Sequence, residues 1–224
     1  SMLEAYATSP AKSTPTGVQS LTPVHLQGDR KVFPLKSFCF PENPGECTPT
    51  KDDTLLVPNM VLTKLELVDS LQTEVRLLLH LCGKVKPEMR DYRPTPKQRS
   101  LIELLRYLTA QMPVLVRSIK AGVFLVDEWT AIEAKAAAMD FDAVLRSLES
   151  QSAVYAELIA GFSDEELRGE IEMFGMKTTR GHMLGNLVLG GHAAYRMQFF
   201  CYLKSCGREE LNTMNLWMGV DGSM

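Results

Sequence analysis

Residues 178–207, TTRGHMLGNLVLGGHAAYRMQFFCYLKSCG, carry the pattern that most restricts the fold. Met183, Leu184, Leu187, Val188, Ala194, Met197, Cys201 and Leu203 recur at helical spacing and are expected to face a core. Thr178 or Thr179 can cap the start. Gly207, just after the basic Lys204, supplies the stop. Inside this pattern stand Gly181, Gly185, Gly190 and Gly191. Each costs roughly 0.5–1 kcal/mol relative to Ala in a helix interior. An offsetting feature is therefore expected: a close helix approach, a bound ligand or a lost side chain. A long helix of this kind needs partners, and it forms the wall of whatever pocket the chain encloses.

Three further helices supply those partners. The first is expected over residues 58–84, opened by Pro58 and stopped by Gly83, with Leu62, Leu65, Leu67, Val68, Leu71, Val75, Leu78, Leu79 and Cys82 inward. His80 lies beside this stripe and reads as a boundary residue. The second is expected over residues 100–119. Ser100 and Glu103 have the spacing of a capping box, and Leu101, Leu104, Leu105, Leu108, Met112, Leu115 and Ile119 form its core face. Pro113 should kink it, and Gly122 ends it. Residues 124–139, with Trp129 and an Ala-rich piece, form a long crossover holding a short helix. The third long helix starts after Asp140 and runs to residue 161, with Phe141, Val144, Leu145, Leu148, Val154, Leu158 and Ile159 inward. A single turn at 163–168 with Ser163 as N-cap follows, and residues 171–176 lead into the last helix. Leu211, Met214, Leu216 and Trp217 in the tail are expected to cover the end of the bundle. The fold class is therefore all-α: a four-helix bundle, residues 58–224, with a long crossover between its second and third helices.

Residues 1–57 differ. They are rich in Pro, Ser, Thr and Gly, and prolines at 10, 15, 23, 34, 41, 44 and 49 exclude a long helix. They read as an irregular N-terminal arm. Two forms stay open: a flexible extension, or a strap docked through Phe33, Leu35, Phe38 and Phe40.

Charge and cysteine content narrow the function classes. Lys and Arg number 24 against 27 Asp and Glu, so the basic footprint of a nucleic-acid binder is missing. There is no apolar run of the roughly 20 residues that spans a bilayer, and no basic-then-apolar start. A soluble cytoplasmic protein without nucleic-acid or membrane partners is expected. The five cysteines are scattered, with no C-x-x-C pair, and read as reduced thiols; Cys39–Cys47 is the one local pairing to test. Dinucleotide, phosphate-loop and H-E-x-x-H zinc motifs are absent from the sequence, and no nucleophilic triad is legible.

Two segments resemble a known family. RPTPKQRSLIELLRYLT (residues 93–109) resembles the stretch in DinB/YfiT-like bundles where a Pro-containing loop precedes a helix beginning Ser-x-x-Glu-Leu-Leu. LVLGGHAAYRMQFFCYLKSCG (residues 187–207) resembles that family's closing helix through Arg196, Gln198, Tyr202, Leu203, Lys204 and Gly207. The turn FSDEEL also fits the family's linker. The resemblance spans residues 58–210 and leaves the N-terminal arm without a counterpart. It implies the bundle fold and a divalent metal, zinc or nickel, held by three histidines. That metal serves transferases and isomerases that use a low-molecular-weight thiol.

Carried over residue by residue, the three histidine positions are Tyr107, Gly191 and Tyr195. Glycine offers no ligand atom and neutral tyrosine is a poor ligand for a borderline metal. His192 is one residue off, a rotation of about 100°, and His182 is roughly 15 Å away along a straight helix. No metal or other cofactor is therefore expected. The candidate ligand pocket comprises Tyr107, Gly191, Tyr195, His192 and Arg196. Tyr107 and Tyr195 are expected to face each other, either presenting hydroxyls to a small ligand beside the charge of Arg196 or filling the space and bonding each other. Three functions stay open: a metal-free bundle that binds a small molecule or protein partner, a metal- and thiol-dependent transferase or isomerase, and a structural homodimer joined through the last helix.

Overall fold

The computed structural model describes residues 62–222. The expectations for the N-terminal arm, the domain boundary at 57/58, the Cys39–Cys47 pairing and the Pro58 helix start lie outside the described residues. The first helix, α1 (Lys64–Cys82), is instead opened by Thr63, which forms a capping box with Glu66. Leu65, expected inward, is exposed because it falls in the first turn on the outer face. Then come α2 (Leu101–Ala121), α3 (Val126–Ala137) in the crossover, α4 (Phe141–Ala160) and the short α5 (Asp164–Arg168). Ser100, Asp140 and Ser163 cap their helices as expected, and Gly122 stops α2 at φ +79°.

The connection after α5 is a β-hairpin, where the sequence pattern suggested only a lead-in. Strand β1 (Glu170–Met173) pairs antiparallel with β2 (Met176–Thr179), matching Glu170 with Thr179 and Met173 with Met176. The two-residue turn needs positive φ at both positions. Gly175 adopts φ +72° freely, whereas Phe174 is held at φ +56°. That conformation costs an L-residue roughly 1–2 kcal/mol, and the Phe174 ring recovers contact by packing 5.3 Å from Phe124.

The final helix has three parts. Thr179 caps α6 (Arg180–Met183), a π-helical segment follows (Leu184–Leu189), and α7 (Gly190–Ser205) completes it. A π turn holds one residue more than an α turn, so it rotates everything beyond it by about 100°. The expected inward face is overturned beyond this point. Ala194, Met197 and Cys201 face solvent, and His192, Arg196, Phe199 and Tyr202 are buried with Leu203. Up to and within the π segment, Met183, Leu184 and Val188 are buried as expected. Two glycines have packing reasons. A Cβ on Gly181 would lie 3.2 Å from the Leu167 carbonyl oxygen, and one on Gly191 would lie 3.0 Å from Met112 Cε. Gly185 has no such neighbour within 4 Å.

Helices α4 and α7 each pack against both α1 and α2, which places α1 and α2 at opposite corners of the bundle, and α3 lies along α2. The core residues of α2 are buried as expected. In the tail, Leu211 and Leu216 cover the bundle end while Met214 and Trp217 remain exposed. No described helix is long and apolar enough to cross a membrane.

Pro113 sits inside α2 and cannot donate to the carbonyl of Thr109, four residues back. Gln151 of α4 takes over. Its Nε2 donates to the carbonyls of Leu108 (2.9 Å) and Thr109 (3.4 Å). Gln151 is 2% exposed, so this amide is a core fixture tying α4 to the weak point of α2. Gln151→Leu should lower stability by about 1–3 kcal/mol, since buried carbonyls lose a donor. In a Pro113→Ala background, where the helical N–H returns, the same substitution should cost about 1 kcal/mol less. Urea unfolding of the four proteins measures this coupling; strictly additive effects would contradict it.

Candidate functional site

The five residues of the expected pocket do not converge on one point, because α7 sends them to three neighbours. Gly191 and Tyr195 turn to α2, where they meet Met112 and Tyr107. His192 turns to α4 and Arg196 to α1.

Tyr107 and Tyr195 do face each other, with ring centroids 5.5 Å apart and planes at 73°. Trp129 of α3 presses on Tyr107 from another side at 5.6 Å, also edge-on. The Arg99 guanidinium lies 3.7 Å over the ring, where the negative π face attracts a cation. Burial, then the neighbouring Tyr195 hydroxyl, pushes the Tyr107 phenol well above its ordinary range, so it is a neutral group at any physiological pH. Around it opens a cleft of about 410 Å³ between α2 and α3, lined by Arg99, Glu103, Arg106, Tyr107, Glu133, Ala136 and Ala137. That volume is within the range of small-molecule sites. Helix geometry explains the lining: Glu103, Arg106 and Tyr107 lie three or four residues apart on α2, and Glu133, Ala136 and Ala137 repeat that spacing on α3.

Two of the charged lining groups are committed to the fold. Glu103 accepts from the Ser100 backbone N–H and pairs with Arg93 at 3.0 Å. Arg106 donates through Nε and Nη2 to the Met139 carbonyl, closing the crossover. Arg99 and Glu133 have no hydrogen bond or ion pair from their side chains among the described residues.

His192, 1% exposed, is a core histidine. Its Nε2 is 2.6 Å from the Tyr155 hydroxyl, which is 3.4 Å from Gln151 Oε1. The arrangement that leaves no donor idle runs from His192 Nε2–H to Tyr155, from Tyr155 to Gln151, and from Gln151 to the α2 carbonyls freed at Pro113. Burial, aided by the nearby Arg196 charge, lowers the imidazole pKa to about 4.

Arg196 is 2% exposed and brings no free charge to the tyrosines. Its Nε and Nη2 donate to Glu74 Oε2 (2.7 Å) and Oε1 (3.0 Å), its Nη1 donates to the Leu216 carbonyl, and Trp217 lies 5.2 Å from its guanidinium carbon. Among the described residues, no group of three or more His, Cys, Asp or Glu side chains is placed to hold a metal ion. Cys82, Cys201 and Cys206 are free thiols; Cys82 is buried, which pushes its thiol far up and leaves it inert.

Sequence reasoning missed Arg99, Glu133, Glu74, Tyr155 and Gln151. The Pro113 gap in α2 is a signal that a donor must come from elsewhere, and a buried arginine calls for an acid, but neither signal names its partner.

The His192 environment has a pH consequence. The folded pKa, about 4, lies below the unfolded value near 6.5, so the neutral form is favoured by folding. Its contribution is complete above about pH 6.5 and is lost as pH falls towards 4, on the order of 3 kcal/mol in total. His192→Gln should flatten the fall in unfolding free energy between pH 7 and 4 relative to the parent. Parallel pH profiles would contradict the assignment.

Neither a family model nor a curated protein matches the chain. Among solved structures it is similar to a DinB-like protein of Bacillus subtilis, YjoA, with a TM-score of 0.50 and 17% identity over 65% of this chain and 95% of that one. At that identity the likeness carries the fold alone: the described bundle has an all-α, DinB-like fold.

Proposed function

We propose that this protein is a metal-free helical bundle that binds a small molecule in the α2–α3 cleft over Tyr107. The observation that carries this reading is the cleft itself: about 410 Å³, floored by an aromatic ring and rimmed by a guanidinium stacked on that ring and a carboxylate, neither with a side-chain hydrogen bond or ion pair among the described residues. Both side chains are half-buried and open to the cleft, so they are available to a ligand.

The chemistry of the donor set supports the metal-free part. At the positions that resemble the family's three histidines stand a phenol held neutral by burial, a second phenol packed edge-on against the first, and a glycine whose side-chain space is taken by Met112. A soft or borderline divalent cation finds no good ligand there. His192, the nearest imidazole in sequence, already bonds Tyr155. These residues do not fit zinc or nickel, and no thiol activation is routed through them.

Trp129 packs on Tyr107 and reports on the cleft. In a Trp217→Phe background, a fragment that enters the cleft should change Trp129 fluorescence saturably, and Tyr107→Ala should weaken that binding at least tenfold. Elemental analysis of protein purified without chelators should find well under one equivalent of zinc or nickel. No saturable response across a fragment library would remove the cleft reading; a stoichiometric metal lost in His192→Ala would remove the metal-free one.

A homodimer is the second reading. It is favoured by the outer face of α7, where Gly190, Ala194, Met197, Cys201 and Ser205 are all exposed and none carries charge. Light scattering should then give twice the chain mass, with Met197→Glu reverting it to one; a strict monomer at high concentration removes it.

A further inference from the structure

The four charged side chains of the cleft divide into two that serve the fold and two that do not. Glu103 and Arg106 are saturated by Ser100, Arg93 and the Met139 carbonyl. Arg99 and Glu133 are of opposite sign, line one cleft from two helices, and are not in ion-pair contact with each other. Arg99 is also pre-oriented. Stacking on Tyr107 at 3.7 Å fixes the guanidinium plane, and a fixed fork is the geometry that grips a carboxylate through two hydrogen bonds. Glu133 is an acceptor-only group at neutral pH. Between them the lining is Ala136, Ala137 and the Tyr107 ring, small and apolar.

We infer that this cleft takes a zwitterionic ligand of the amino-acid or short-peptide class, its carboxylate on Arg99, its ammonium group on Glu133 and its apolar portion over Tyr107 and the two alanines. The inference rests on the cleft being a small-molecule site. Charge balance selects among ligand classes. Two arginines and two glutamates leave the lining formally neutral, so a phosphate-rich ligand meets carboxylates it must desolvate, and a polycation meets guanidiniums. A wholly apolar ligand strands both free charges without water. A molecule that bears one charge of each sign, held apart, satisfies both. Because Arg99 and Glu133 are not in contact, separated termini suit the site better than adjacent ones, which favours a dipeptide over a single amino acid.

The test is calorimetric titration of the full chain with leucyl-leucine, its N-acetylated form and its C-terminal amide. The free dipeptide should bind, and each capped form should bind at least tenfold more weakly. Arg99→Gln should weaken the free dipeptide at least tenfold and leave the amide unchanged; Glu133→Gln should weaken the free dipeptide and leave the N-acetyl form unchanged. Arg99→Lys, which keeps the charge but not the fork, should retain part of the binding and guards against a variant that fails to fold. Equal binding of all three peptides would overturn the charge assignment while leaving the cleft a small-molecule site. No heat from any peptide, with neutral fragments still quenching Trp129, would overturn it equally. Loss of both peptide and fragment responses would remove the cleft reading itself.

Discussion

A guanidinium buried to 2% exposure cannot stand alone, and the Arg196–Glu74 pair is the contact on which the rest of this bundle depends. Removing one partner of such a pair typically costs about 3–5 kcal/mol, because the other is left charged and dry. The geometry is two-pronged, and the third arm of the guanidinium reaches the Leu216 carbonyl. One side chain therefore fixes the spacing of α1 and α7 and seats the C-terminal tail on both. The tail is further held to α1 by Arg76 on the Met218 carbonyl, and to the loop just after α1 by Lys84 on Asp221. Pointing Arg196 inward also decides which face of α7 is buried. One turn earlier His192 must then point inward as well, and it does, into Tyr155 and Gln151. The π-helical segment supplies the rotation that makes this possible.

Helix existence was legible in the sequence because apolar spacing and caps agree. The core face of α2 and the caps Ser100, Asp140 and Ser163 follow from residue chemistry within a few positions. The β-hairpin was not legible: its turn is Phe174–Gly175 rather than Asn–Gly, and Phe174 tolerates positive φ because a tertiary contact with Phe124 holds it there. The inward face of α7 was not legible either. Ala194, Met197 and Cys201 make a convincing apolar stripe, and a strict 3.6-residue period places them inside. What overrules the period is a one-residue insertion in the hydrogen-bond ladder, together with partners more than 100 residues away for Arg196 and about 40 for His192. Of the candidate site, the Tyr107–Tyr195 encounter was legible through the resemblance, which maps both onto the family's histidine positions; the cleft beside it was not, since it depends on where the crossover helix α3 settles.

These packing facts account for the polar groups of the interior. The polar groups of the bundle interior are largely used: Gln151 repairs the Pro113 gap, Tyr155 links it to His192, and Arg196 neutralises Glu74. Gly191 opens no void, because Met112 occupies its flank. Unused charge lies outward, in the α2–α3 cleft, where Tyr107 forms the boundary between the aromatic cluster and solvent. The proposed division gives interior and cleft opposite roles, one structural and one open to a ligand.

Imidazole ¹⁵N shifts of His192, followed while pH is lowered from 8 to 5 and one equivalent of zinc is then added at pH 7, test this division most directly. A core histidine bonded to Tyr155 gives a single neutral tautomer throughout and does not respond to zinc. An imidazole that titrates near its ordinary value, or shifts stoichiometrically with zinc, would place ligand chemistry inside the bundle and contradict the division.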